Sequence, residues 1–343
     1  MPNRPAISSM SLGRAWANHS INEKIAQAAA HGFEGLEVFF EDIDYLARDL
    51  SGVHSNDIPS AFPYQLEAAK RIRSICDEHS LQVVCLQPFM FYGGLKDRTE
   101  HQKRLDTLKE WFQLVKILGT DLIQVPTNFL PAHELTPDLD LVIDDMRQLA
   151  DMGLEQSPPV RFAFENIAWG TYIHTWERAW EVVKGVDRPN LGLCLDTFNI
   201  LGGIWADPAS PTGKLPDADS ALEESIDRLR QTVDMDKVFY VQVVDAERLE
   251  RPMNDQHPLW VETQPPRMTW SRNCRLFAYE TDRGAYMPVI KLARVVFHDL
   301  GFEGWVSMEL FSRSMASPDP NVPSEHANRA ATAWGKLKDE LRL

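Results

Sequence analysis

Four oxygen-bearing side chains stand where apolar runs stop in this chain. "RFAFEN" carries Glu165, "LCLDTFN" carries Asp196, "FYVQVVD" carries Gln242 and "WVSMELF" carries Glu309. Three carboxylates and an amide oxygen are a hard donor set, suited to Mg²⁺, Mn²⁺ or Co²⁺. Without a cation, clustered acids repel and at least one stays protonated. A dication removes that cost and leaves a position for water or a substrate oxygen. The intervals of 31, 46 and 67 residues are too long for a local motif, so only the fold can assemble the set. Each residue alone has a plainer reading. Asp196 can cap the turn that follows it, and an acid at a strand end commonly bonds a loop. Gln242, between Val241 and Val243, resists that reading, because a buried amide needs partners.

The elements that must position these groups alternate along the whole chain. Short apolar runs ("AISSM", "GLEVFF", "QVVCLQPF", "DLIQVP", "RFAFEN", "LGLCLDTFN", "VFYVQVVD", "GWVSMELF") precede longer amphipathic ones. The short runs are apolar on both parities, as strands covered on both faces are. The long ones show helical spacing, for example Leu105, Leu108, Trp111, Phe112 and Val115. Eight such βα pairs predict one TIM barrel over residues 1–343. A doubly wound dinucleotide fold would want GxGxxG after the first strand, and "SMSLGRAW" has a single glycine. "GFEG" occurs twice, at 32–35 and 301–304, where glycine can end a helix before a strand. Residues 245–287 read as a long irregular segment over the C-terminal face, rich in aromatics (Trp260, Trp270, Phe277, Tyr279, Tyr286).

The bulk numbers narrow the function. Thirty-five basic and 50 acidic residues give a net charge of −15, which disfavours nucleic acid as a partner. No apolar run reaches the ~20 residues of a membrane helix, and "MPNRPAISSM" has no signal core. The chain is therefore expected to be cytoplasmic. Cys76, Cys85, Cys194 and Cys274 form no CxxC pair; Cys85 and Cys194 read as buried thiols. His257 and His298 do not fall on strand ends, and no GxSxG elbow is present.

The stretches "AISSMSLGR", "GLEVFFEDI", "VVCLQPF", "NFLPAHELT", "DMGL", "CLDTFNI", "VFYVQVVDAE", "MTWSRNCRLF", "DRGAYMPV" and "GFEGWVSMELF" span the chain in order. Through them the chain resembles the fungal 3-dehydroshikimate dehydratases of quinate catabolism, within the xylose-isomerase-like TIM barrels. The resemblance implies a divalent-metal lyase that turns 3-dehydroshikimate into protocatechuate and water. The implied metal ligands fall on Glu165, Asp196, Gln242 and Glu309. A metal would polarise the ring ketone, a base would take the adjacent proton, and the β-hydroxyl would leave. The substrate carboxylate needs a cation: Arg98, Arg272 and Arg275 are candidates, and the analogy favours Arg98 and Arg275 with Ser271 beside them. Phe89, Tyr92 and Trp169 are candidates to wall the ring.

The sequence departs from related barrels at the base. Positions where relatives often carry histidine hold Ile167 and Asn199. Glu37, at the end of the second strand, a metal-bound hydroxide and a loop histidine remain alternatives, with Asn199 entered beside Glu37 as a catalytic position. Two other functions stay open: a metal-dependent sugar isomerase or epimerase on the same scaffold, and a barrel that binds a ligand without turnover. The oligomeric state is not legible, although a homo-oligomer is compatible with the sequence.

Overall fold

The computed structural model describes residues 2–52 and 61–343. Eight parallel strands close a barrel: β1 (Arg4–Ser8), β2 (Gly35–Phe39), β3 (Gln82–Gln87), β4 (Leu122–Pro126), β5 (Arg161–Glu165), β6 (Leu191–Asp196), β7 (Val238–Gln242) and β10 (Trp305–Met308). A short antiparallel pair, β8 (Asp245–Ala246) with β9 (Arg275–Leu276), stands between the last two barrel strands in sequence. The strands are buried because helices cover them outside and side chains fill them inside. The outer helices include α1 (Ile21–Ala30), α2 (Phe40–Ser51), α3 (Phe62–Glu78), α4 (Arg98–Leu118), α5 (Leu139–Leu154) and α6 (Trp176–Val186). They continue with α7 (Thr197–Ile204), α8 (Ala218–Thr232), α9 (Pro266–Cys274), α10 (Val289–Arg294) and α11 (Val322–Leu341).

Inside the barrel, the two-residue strand period stacks two unlike layers. The lower layer is a compact plug of Cys85, Leu122, Ala163, Cys194 and Tyr240. Two residues further along the same strands come Gln87, Gln124, Glu165, Asp196 and Gln242, all buried. One step along each strand therefore changes the barrel interior from apolar to polar. Burial pushes the thiols of Cys85 and Cys194 and the Tyr240 phenol up, which keeps the plug uncharged.

Three elements differ from the expectation. The segment after "GLEVFF" is the helix α2, which buries Ile43 and Ala47 and ends on Gly52 in the left-handed conformation (φ 73°). The run "TFNILGGI" forms α7 directly after β6, disguised by its two glycines, poor helix formers. The 245–287 segment is largely irregular as expected, but it also holds the short β8, α9 and β9. Trp270 pins it down, buried against Phe198 at 4.9 Å between ring centroids and donating Nε1 to Glu247 O at 2.9 Å. At both GFEG turns the first glycine takes positive φ, 81° at Gly32 and 69° at Gly301.

Candidate metal and active site

The strand ends deliver what the period predicts. Oxygens of Glu165, Asp196 and Glu309 lie within 4.8 Å of one another, all buried. Asp196 does two jobs. Its Oδ1 caps α7 by accepting from Phe198 N at 2.8 Å, and its Oδ2 faces the cluster. The plain reading of Asp196 as a cap and its reading as a cluster member are therefore both satisfied. Asn199, one turn into α7, clamps two of the acids. Its Nδ2 donates to Glu165 Oε1 at 2.8 Å and to Asp196 Oδ2 at 2.7 Å, while its Oδ1 accepts from Ala168 N at 3.0 Å. Gln124 donates to the other oxygen of Glu165, and Gln87 Nε2 reaches Glu309 Oε1 at 3.1 Å.

Gln242 is fully buried, and its Nε2 is committed to Glu37 at 3.2 and 3.0 Å. Glu37 also accepts from Gln87 Nε2 at 2.8 Å and from the Ser307 hydroxyl. Glu37 thus anchors two amides rather than lining the cavity above them. The expected role of proton acceptor needs a group that reaches the cavity, and Glu37 does not line it; burial pushes its pKa up. Asn199 is likewise a clamp, because an amide has no proton to take or give at neutral pH.

Arg275 enters this cluster from the end of α9. Its Nη1 donates to Asp196 Oδ2 at 2.8 Å and Glu309 Oε2 at 3.0 Å, and its Nε donates to Ser271 Oγ at 3.1 Å. The guanidinium is 2% exposed and lies between the rings of Phe198 (4.2 Å) and Phe311 (4.8 Å). One positive charge against three acids does not balance the site. Burial and the neighbouring acids Glu309 and Asp196 drive the Glu165 carboxyl well up. Burial raises Glu309 to about 8 even with Arg275 beside it. Charging all three acids leaves two negative charges beyond Arg275, which is the charge of one dication. The donor set, its charge deficit and the mutual reach of its oxygens fit a hard divalent cation.

Above the cluster opens a cavity of about 580 Å³. Phe39, Pro126, Phe129, Trp169 and Phe311 form apolar wall, and Glu165, Asn199, Arg275 and Glu309 reach it from below. Arg14 reaches the rim from the turn after Gly13 (φ 117°), where a Cβ would stand 2.4 Å from the His19 ring. Its Nη2 pairs with Glu41 Oε2 at 2.5 Å. Ser271 and Arg272 line the cavity from α9. Of the aromatic candidates, Trp169 lines the cavity, whereas Phe89 and Tyr92 are core, packed on each other at 6.0 Å.

Arg98 is not brought to the site. It opens α4 and forks onto Asp145 of α5, with Nη2 to Oδ1 at 2.6 Å and Nη1 to Oδ2 at 3.1 Å. Asp145 is 2% exposed and also takes Gly94 N at 2.9 Å, so this pair ties the loop after β3 to the helix layer. The expectation that Arg98 grips a substrate is corrected accordingly. His298 bonds Leu341 O at 2.7 Å and His257 accepts from Leu259 N at 3.2 Å, both away from the cluster. The sequence reading missed Gln87 and Gln124, although each shows the signal that singled out Gln242: an amide closing a buried apolar run.

The model of the xylose isomerase-like TIM barrels matches residues 25–336. A 3-dehydroshikimate dehydratase of Neurospora crassa is 51% identical over 100% of this chain and 96% of its own length. One of Pseudomonas aeruginosa is 29% identical over 85% of this chain, which spans only 36% of that longer protein. A solved xylose isomerase-like TIM barrel/4-hydroxyphenylpyruvate dioxygenase fusion protein superposes with a TM-score of 0.72 at 24% identity, over 100% of this chain and 44% of its own. With eight parallel strands closed around a polar mouth and a relative half-identical from end to end, this chain belongs to the xylose isomerase-like TIM barrels, in the branch of the 3-dehydroshikimate dehydratases.

Proposed function

We propose that this chain is a 3-dehydroshikimate dehydratase, a hydro-lyase that releases water from 3-dehydroshikimate and forms protocatechuate. The observation that carries the reading is the buried carboxylate cluster at the barrel mouth in a chain 51% identical throughout to a protein of that activity. Glu165, Asp196, Gln242 and Glu309 are assigned as the residues that hold a divalent cation. When bound, that cation supplies Lewis acidity to the ring ketone and so acidifies the proton on the adjacent carbon.

The chain's own groups do the rest. Asn199 and Gln124 fix Glu165, and Gln87 and Arg275 fix Glu309, so the oxygens need little rearrangement when charge develops. Glu37 holds the Gln242 amide by its nitrogen, and the Gln242 oxygen, which accepts from the Cys194 thiol at 3.5 Å, is the atom assigned to the cation. Phe39, Phe129, Trp169 and Phe311 supply an apolar wall of a size that admits a six-membered ring and reduces water around it. Loss of the ring proton and of the β-hydroxyl as water leaves a dienone, whose tautomerisation gives the aromatic diol.

Among the described residues, no histidine, lysine or tyrosine lines the cavity. The described wall therefore offers carboxylates as proton acceptors, among them Glu41 paired with Arg14 and Asp44 paired with Arg48. A sugar substrate is the poorer match, because it would leave Arg272 on the wall without an anion. Incubating the purified protein with 3-dehydroshikimate and Mg²⁺ or Mn²⁺ tests the reading: the absorbance of a catechol acid should rise. Turnover of a ketose or aldose with no aromatic product would overturn it.

A further inference from the structure

Three arginines line the cavity, and they differ in what neutralises them. Arg14 is paired with Glu41. Arg275 is spent on Asp196 and Glu309, with its Nε on Ser271. Arg272 makes no hydrogen bond or ion pair among the described residues, although it stands on the wall of a cavity in a chain of net charge −15. Partial burial, and after it the Arg14 charge, push Arg272's pKa down, and among the described residues no acid is paired with it. Arg272 sits on α9 one turn before Arg275. Side chains so spaced on a helix start about 5–6 Å apart, comparable to the span of a cyclohexene ring.

We infer that Arg272 is the seat of the substrate's carboxylate, which stands on the ring carbon two bonds from the carbonyl carbon, while Arg275 stays with the acid cluster. The inference rests on the dehydratase reading for the identity of the ring, but the requirement it states is more general: the ligand carries one carboxylate on its ring. It also replaces the assignment of that role to Arg98, which is bound to Asp145, and to Arg275. A guanidinium offers two parallel donors to a carboxylate, so it fixes ring orientation as well as affinity. Ser271, the preceding residue, does not compete for it, because its hydroxyl is engaged by Arg275.

The test compares two probes that differ only in the carboxylate, protocatechuate and catechol. Each is titrated by calorimetry into Mn²⁺-loaded wild type, Arg272→Ala and Arg272→Lys, with melting curves to show that the exposed substitution leaves the fold intact. The wild type should bind protocatechuate more tightly than catechol. Arg272→Ala should weaken protocatechuate about tenfold, the order of one charge-assisted contact, and leave catechol unchanged. Arg272→Lys should recover part of the loss, since it keeps the charge without the fork. In steady state, KM for 3-dehydroshikimate should rise more than kcat falls. Equal losses for both probes, or no loss for either, would overturn the assignment. Failure of the wild type to make protocatechuate while Arg272 still discriminates the probes would sink the dehydratase reading and keep the carboxylate seat.

Discussion

Removing Asn199 tests how the acid cluster is held. Its Nδ2 bridges Glu165 and Asp196 at 2.8 and 2.7 Å, and its Oδ1 takes Ala168 N. Asn199→Ala deletes two hydrogen bonds to buried carboxylates, each worth about 1.5–3 kcal/mol. The helix itself loses little, because α7 is also capped by Asp196 and keeps its backbone bonds. The cost should therefore appear in the site. Two carboxylates that were held together gain rotamer freedom, and Glu165 keeps only the Gln124 contact on its other oxygen. Loss of an outer-shell partner typically weakens metal binding about 10–100-fold, equal to about 1.4–2.8 kcal/mol. Asn199→Asp should weaken the metal-free protein further, because it sets a fourth acid against the three already there. The assay is a calorimetric titration of Mn²⁺ into chelator-stripped protein, with a melting curve of each metal-free variant. A dissociation constant for Asn199→Ala within about twofold of wild type would refute the clamp, because an outer-shell partner should be worth more than that.

Other outcomes follow from the same geometry. Glu37→Gln should lower metal affinity about tenfold, measured by the same titration, because an amide facing the Gln242 and Gln87 nitrogens turns acceptors into donors. An unchanged constant would mean that Gln242 needs no such anchor. Arg98→Ala should lower the melting temperature, at a cost of about 1–2 kcal/mol for stripping a buried acid of its fork, and leave KM for the substrate unchanged. A selective rise in KM would return Arg98 to the site. His326 is buried, donating Nδ1 to Ser11 O at 2.7 Å and accepting from Ser314 at 3.0 Å, and burial holds its pKa at about 4 against an ordinary 6.5. A depressed folded pKa contributes stability that is present above pH 6.5 and lost as pH falls through 4, on the order of 3 kcal/mol in total. Melting temperature measured across that window should fall more steeply in wild type than in His326→Gln; parallel curves would exclude His326 as the cause.

The barrel was legible because its signal is repeated. Each apolar run is largely buried, and every barrel strand closes within a residue or two of a buried polar group. Glu165 lies two residues beyond the plug residue Ala163, Asp196 two beyond Cys194, and Gln242 two beyond Tyr240. That phase relation marks Gln87 and Gln124 equally well, and they were missed because amides were weighed only where acids already stood. Arg98 was misplaced for a different reason. Its direction depends on the path of residues 88–97 and on Asp145, which looks like an ordinary surface acid of an amphipathic helix yet is buried. Helices α2 and α7 were hidden by short length and by glycine. The pairing of Arg275 with two acids rather than with a ligand could not be read from spacing, because it depends on α9 folding back over the barrel mouth.

The central claim is that this cluster makes a dication indispensable to the dehydration. The most direct measurement strips the purified protein with a chelator, verifies its metal content, and follows protocatechuate formation from 3-dehydroshikimate while Mn²⁺ is added back. The account predicts negligible product from the stripped protein and recovery that saturates at one metal per chain. Undiminished product from protein shown to be metal-free would contradict it.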